Sequence, residues 1–246
     1  MIQPSQRRVL VTKQSASPAF TQALGLEPGD VVSVIGCGGK TSLIHRLALE
    51  NRHHRVLIST TTKILPPPSH LVDWKLEPGE SPRPGINLLG EERGPKLGGA
   101  PFQTLITACP ADGLALLEAD GSKQLPLKGW AEHEPVIPPF TTVTIGVVSL
   151  WTVGLPCGES IVHRLPLFQA LTGAVKESSI TLNHIASMIT HPRGMFQKAV
   201  GRQALLINQV ETPDTLELAQ ELADLLPQTI SPIVAGSVRQ GKVTVL

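Results

Sequence analysis

"VVSVIGCGGKTSLIHRLALE", residues 31–50, decides the fold class. Val31–Ile35 is an apolar, β-branched run broken only by Ser33, of the kind found in strands covered on both faces. Gly36, Gly38 and Gly39 interrupt it. From Lys40-Thr41-Ser42 onward the apolar spacing becomes helical. A strand, a glycine-rich turn and a helix N-terminus in direct succession form an anion cradle. The glycines let the backbone approach closely, and the helix presents uncompensated N–H groups and the positive end of its dipole. A Walker A loop reads G-x-x-x-x-G-K-[ST]. Counting back from Gly39-Lys40-Thr41 puts its first glycine at position 34, which is Val34. The loop is therefore shorter than the standard motif. It keeps the glycines, a lysine able to reach terminal phosphates and a threonine able to ligate Mg²⁺.

Outward from this loop, short apolar runs alternate with helical patterns. Val31–Ile35, Val56–Ser59, Leu114–Glu118, Val143–Leu150, Ala204–Asn208 and Ile233–Ala235 are the predicted strands. Pro213–Leu226 is the clearest helix, with Thr212 as N-cap and Pro213 at the first helical position. The alternation predicts a mainly parallel sheet in an α/β fold. A single domain over 1–246 accommodates it, with a small helical insert at 161–200. From Pro66 to Pro101 there are eight prolines and six glycines, which predicts a long loop without a central strand. Its position after the second strand suggests a surface cover for the cleft, ordered by ligand.

Bulk properties narrow the function. A formal net charge of +1 and an aromatic content of 3%, with no tyrosine, argue against nucleic acid as a partner. No apolar run approaches the roughly 20 residues of a membrane span. The first 14 residues lack a signal-peptide core, and Cys37, Cys109 and Cys157 have no CxxC spacing. Together these predict a cytoplasmic protein with reduced thiols. Homo-oligomerisation stays open.

A second chemical stretch is "GLALLEADGSKQLPLK", residues 113–128. Alternation along a strand puts Glu118 and Asp120 on one face. Carboxylates at a strand's C-terminal edge suit Mg²⁺ binding or water activation. With Lys40 they form the expected catalytic set, Thr41 and Asp120 being the expected metal ligands. Lys123 and Lys128 follow closely and are expected to hold an anionic substrate.

The segments "VIGCGGKTSL", "ISTTTKI", "EADGSKQLPLK", "AEHEPVIP", "HPRGMF" and "LLINQV" occur in that order. Together they resemble the YqeC family, whose members are described as accessory proteins of selenium-dependent molybdenum hydroxylases. The resemblance runs from about residue 28 to about residue 240. It implies a P-loop NTPase-like three-layer α/β/α fold. It implies phosphate binding by Gly36, Gly38, Gly39, Lys40, Thr41 and Ser42, and a substrate role for Thr61, Thr62 and Lys63. It further implies a nucleotide partner, a role in maturing a molybdenum hydroxylase or its cofactor, and hydrolysis or phosphoryl transfer. Asn208 aligns with the asparagine of the N-K-x-D base motif of GTPases, but Gln209 and Glu211 replace its lysine and aspartate. ATP with Mg²⁺ is therefore the simpler expectation, with GTP as alternative. A small-molecule kinase or ligase, or a nucleotide-gated chaperone, would fit the same residues. Glu132, His133 and Glu134 read equally as metal ligands or as a turn. Cys37 fits as a small residue in the loop.

Overall fold

A computed structural model describes residues 19–246. The N-terminal stretch that argued against a signal peptide, and the start of the 1–246 domain, lie outside the described residues. The central sheet has nine strands. They are β1 (Val31–Gly36), β2 (Arg55–Thr60), β3 (Trp74–Lys75), β4 (Gly85–Leu88), β5 (Leu114–Glu118), β6 (Val143–Ser149), β7 (Arg202–Asn208), β8 (Ile230–Ser237) and β9 (Lys242–Val245). Their spatial order is β9-β8-β7-β6-β1-β5-β2-β4-β3. Every neighbouring pair is parallel except β8 with β9, which is antiparallel. The fold is therefore mixed α/β with a mostly parallel sheet.

Six helices accompany the sheet: α1 (Ala19–Ala23), α2 (Lys40–Glu50), α3 (Phe102–Ala108), α4 (Leu165–Thr172), α5 (Leu182–Thr190) and α6 (Pro213–Asp224). Period-two alternation sorts the strand residues onto two faces. Val32 and Val34 of β1 join Leu114 and Leu116 of β5 in a core with Phe20 of α1 and Leu43 and Leu47 of α2. On the opposite face Val31, Leu57, Ala115 and Leu117 pack with Leu105 of α3. Further along that face Ile35, Val148, Leu205 and Ile207 pack with Phe168 of α4, Ile185 of α5 and Leu222 of α6. All residues of β1, β5 and β6 are buried. Covering both faces explains why these strands are mostly apolar, with only small polar residues such as Ser33 and Thr144 inside them.

Local signals account for the helix starts. Thr212 and Thr181 each accept from the backbone N–H three residues on, closing capping boxes ahead of α6 and α5. The helix begun by Pro213 ends at Asp224, two residues short of the expected Leu226. Helices α4 and α5, expected as an insert, pack against each other and, through α5, on α6, completing the second helical layer.

The Pro/Gly-rich segment 66–101 departs from expectation. Gly85–Leu88 is a fully buried strand, paired on one side with β2 and on the other with Trp74–Lys75. The prolines flank this strand rather than interrupt it, so no ladder donor is lost. Leu71, Leu76, Ile86, Leu88 and Leu89 are all buried. Asn87, also buried, donates to the carbonyls of Val56, Arg83 and Gly85. The rest of the segment forms a small antiparallel sheet of Glu91–Arg93 and Lys96–Gly98 with Lys63–Ile64. The expected surface cover is thus an extension of the sheet.

This docking makes a prediction. Ile86 is completely buried between β2 and the adjoining helices. Ile86→Ala should lower unfolding stability by roughly 2–5 kcal/mol, the cost of an unfilled core position. Urea denaturation measures it, and a midpoint unchanged from the parent would mean that the segment contributes nothing to the core.

Candidate functional site

The turn after β1 crosses the C-terminal edge of the sheet, where the strand order switches from one side of β1 to the other. Gly36, Gly38 and Gly39 have φ of 99°, 89° and 131°. A Cβ on Gly36 would lie 2.4 Å from the Val147 carbonyl, and one on Gly39 would lie 2.3 Å from the Asn208 amide nitrogen. Both the backbone and the space therefore require glycine. Gly39 is the N-cap of α2 and no side chain caps that helix. The N–H groups of its first turn consequently face the cleft without an intrahelical partner.

Below the loop lies a buried ionic core. Asp120, fully buried, accepts from the Gly36 N–H at 3.1 and 3.2 Å. It also accepts from Trp130 Nε1 at 2.9 Å and Lys128 Nζ at 3.1 Å. Lys40 Nζ stands 3.2 Å from Asp120, 3.8 Å from Glu118 and donates to the Gly36 carbonyl at 2.8 Å. Burial acts to lower the Lys40 pKa, but Asp120 and Glu118 outweigh it and hold the ammonium above its ordinary value. Glu118 is raised, mainly by burial, against the opposing pull of Lys40 and the Thr41 hydroxyl. Thr41 Oγ1 donates to Glu118 Oε2 at 2.8 Å. Lys128 also reaches Glu134 at 2.8 Å, and Arg164 pairs with the same carboxylate. Burial tends to raise Glu134, yet the two cations override it and bring its pKa down to about 2. Pairing of Leu127–Lys128 with Val162–His163 brings Arg164 into this group.

The cleft above has a volume of about 1260 Å³. Gly38–Ser42 form its floor. Thr62, Lys63, Lys96, Lys123 and Arg164 lie along one part of its lining, and Trp151, Asn208, Gln209, Glu211 and Ser237–Arg239 along another. Six cationic side chains line it against three acidic ones. Among the described residues five non-glycine residues have positive φ: Lys123, Gln124, Arg164, Glu177 and Gln209. All but Glu177 line this cleft. Backbone held outside its usual range gathers at functional sites.

Most of the residues expected here converge, with several changes of role. Lys40, Thr41 and Glu118 meet at hydrogen-bond or ion-pair range. Asp120, expected as a metal ligand, is instead enclosed beneath the loop with its oxygens engaged. Gly36, expected to bind phosphate, gives its N–H to Asp120, and Cys37 gives its own to the Val147 carbonyl, so the open cradle starts at Gly38. Lys128, expected to hold a substrate anion, is fully buried and turned toward Asp120, Gly121 and Glu134. Thr61 donates to the Val136 carbonyl rather than facing the cleft. Thr62, Lys63, Lys123, Ser42 and Asn208 do line it. The EHEP turn supplies Glu134 to the ionic core, and Cys37 is buried with its thiol pushed up to about 12, chiefly by desolvation. Trp130 and Trp151 escaped the sequence reading, because an isolated tryptophan carries no spacing signal.

Asn208 ties the site together. Its Nδ2 donates to the Gly38 carbonyl at 2.8 Å and its Oδ1 accepts from the Val238 N–H at 3.1 Å. Glu211 accepts from the Ser237 hydroxyl at 2.7 Å. Among the described residues no group of three His, Cys, Asp or Glu side chains is placed to hold a metal by itself. No helix there is long and apolar enough to cross a membrane.

The glycine loop, the acidic β5 edge and the EHEP turn all fall within the region matched by known sequences. The model of the YqeC protein family matches residues 32–166. The Escherichia coli (strain K12) protein named "Uncharacterized protein YqeC" is 32% identical over 213 residues, covering 80% of this chain and 83% of that protein. No solved structure matches. With the model spanning more than half of the chain and the relative four fifths of it, the chain belongs to the YqeC family.

Proposed function

We propose that this protein is a P-loop NTPase-like enzyme that binds a nucleoside triphosphate with Mg²⁺ over the Gly38–Ser42 turn and carries out phosphoryl chemistry there. The observation that carries the reading is the contact between Thr41 and Glu118 at the mouth of a glycine turn that opens directly into α2. Mg²⁺ is commonly held by one or two protein oxygens plus substrate phosphates, so this pair suffices without a full protein cage. The residues fit the group in three respects. The loop has no room for a Cβ at Gly36 or Gly39, the helix end is uncapped, and the cleft is predominantly cationic. Its volume exceeds the roughly 300–1,000 Å³ common for small-molecule sites. Lys40, held beside the loop by Asp120 and Glu118, supplies the charge that neutralises terminal phosphates.

Mg-ATP is the proposed nucleotide. A second reading, GTP, is favoured by Asn208, which links Gly38 to Val238, and by the Glu211 carboxylate at the same end of the cleft. A carboxylate there can accept from the two adjacent donors of a guanine edge. Competition between ATP and GTP for the same site separates the readings. The resemblance to accessory proteins of molybdenum hydroxylases supports a role in maturing such an enzyme or its cofactor.

Lys40→Ala should weaken nucleotide binding roughly 10- to 150-fold, the value of a charge-assisted hydrogen bond. Calorimetry checks this, and unchanged affinity in the folded variant would end the phosphate-loop reading. Glu118→Gln should remove most of the affinity gained on adding Mg²⁺ while leaving metal-free binding near the parent value. An Mg²⁺ dependence equal to the parent's would exclude Glu118 from the metal site. Asp120→Asn should act differently, because it strips the counter-charge from buried Lys128 and Lys40. Thermal and urea unfolding should show a loss of roughly 3–5 kcal/mol; full stability would mean that the ionic core is not holding the loop.

A further inference from the structure

The strand order lays the cleft out as a row. At the C-terminal ends of β8 and β7 stand Ser237 and Asn208. The glycine loop follows β1 in the middle. Beyond it, after β5 and β2, come the Gly121–Pro126 turn and Thr62–Leu65. A nucleotide with its phosphates over the loop and its base toward Asn208 leaves the β5–β2 end free. That end is cationic. Lys63, Lys96 and Lys123 are exposed there, and among the described residues none is paired with a carboxylate. Arg164 and His163 complete the lining, and Arg164 shares the single carboxylate of Glu134 with Lys128. Unpaired cations at one end of a concave site raise the local concentration of anions.

The backbone supports the same location. Lys123 and Gln124 are consecutive left-handed residues, with φ of 50° and 63°, and Arg164 is a third, with φ of 58°. Three non-glycine residues in this region at one end of one cleft aim long polar side chains from turns that would otherwise prefer glycine or asparagine. His163 reports the surroundings: burial first, then Arg164, Lys128 and Lys123, depress its pKa.

We propose that the β5–β2 end of the cleft, built on Lys123, Arg164 and His163 with Lys63 and Lys96 at its rim, is a binding site for the oxyanion group of a second small-molecule substrate. It rests on the nucleotide reading only for the division of the cleft. The shared chemistry is a phosphate-sized oxyanion, either free or carried as a monoester.

Inorganic phosphate is the first probe, titrated into the protein saturated with a non-hydrolysable Mg-ATP analogue and, separately, into nucleotide-free Lys40→Ala. The ring proton resonances of His163 are the local readout, assigned by His163→Gln. Saturable shifts in both samples are expected, with affinity reduced at least tenfold by Lys123→Asn and by Arg164→Gln. Lys123→Asn keeps a residue tolerant of positive φ, so it guards against a folding defect in Arg164→Gln. Glycerol 3-phosphate binding more tightly than phosphate assigns a monoester; binding no more tightly assigns a free oxyanion. Absence of saturable shifts in both samples, or phosphate affinity unaltered in Lys123→Asn, overturns the site. Because the Lys40→Ala titration contains no nucleotide, it tests the oxyanion site even if no nucleotide binds.

Discussion

The site depends on one buried carboxylate. Asp120 sits beneath the glycine loop and accepts from the Gly36 amide, Trp130 and Lys128, with Lys40 at ion-pair distance. An isolated carboxylate in such a place would be too costly to keep ionised. Surrounded by two ammonium groups and two N–H donors, it becomes the point from which the loop, the lysine and the following turn are positioned. The positive charges under the loop are in turn distributed through Lys128 to Glu134 and Arg164. The glycine loop and the start of α4 are therefore parts of one electrostatic unit, although 124 positions separate Lys40 from Arg164 in sequence.

The sheet gives that unit its surroundings. Because β1 lies between β5 and β6, its loop opens beside both the acidic edge and the strand leading toward Asn208. Helices on both faces keep water from the strand ends below the cleft, so Glu118 and Asp120 meet Lys40 in a medium where charges interact strongly. The same burial raises Cys37 to about 12, leaving its thiol a packing group under the loop rather than a nucleophile.

Much of this layout was legible in the sequence, for identifiable reasons. Doubly covered strands are mostly apolar, so Val31–Ile35, Leu114–Glu118 and Val143–Leu150 marked three central strands to within a residue. Thr212-Pro213 marked a helix start because cap and first-turn chemistry are local. The segment 66–101 misled because composition averages over position: no proline falls between Pro84 and Pro95, which leaves Gly85–Leu88 free to join the sheet. Lys128 and Asp120 misled for a different reason. A lysine or aspartate near a strand end looks the same in sequence whether it faces the cleft or closes a buried pair, and only the partners supplied by Trp130 and Glu134 decide it.

Asn208 gives the cleft two unlike walls. One amide spans from the glycine turn to Val238, so the ends of β1, β7 and β8 are stapled into a stiff jaw. The opposing Gly121–Pro126 turn is tied at the Gly121 carbonyl by Lys128, and a Cβ on Gly121 would meet open space. The two walls thus fasten to different parts of the site, one to the glycine turn itself and the other to the buried ionic core beneath it.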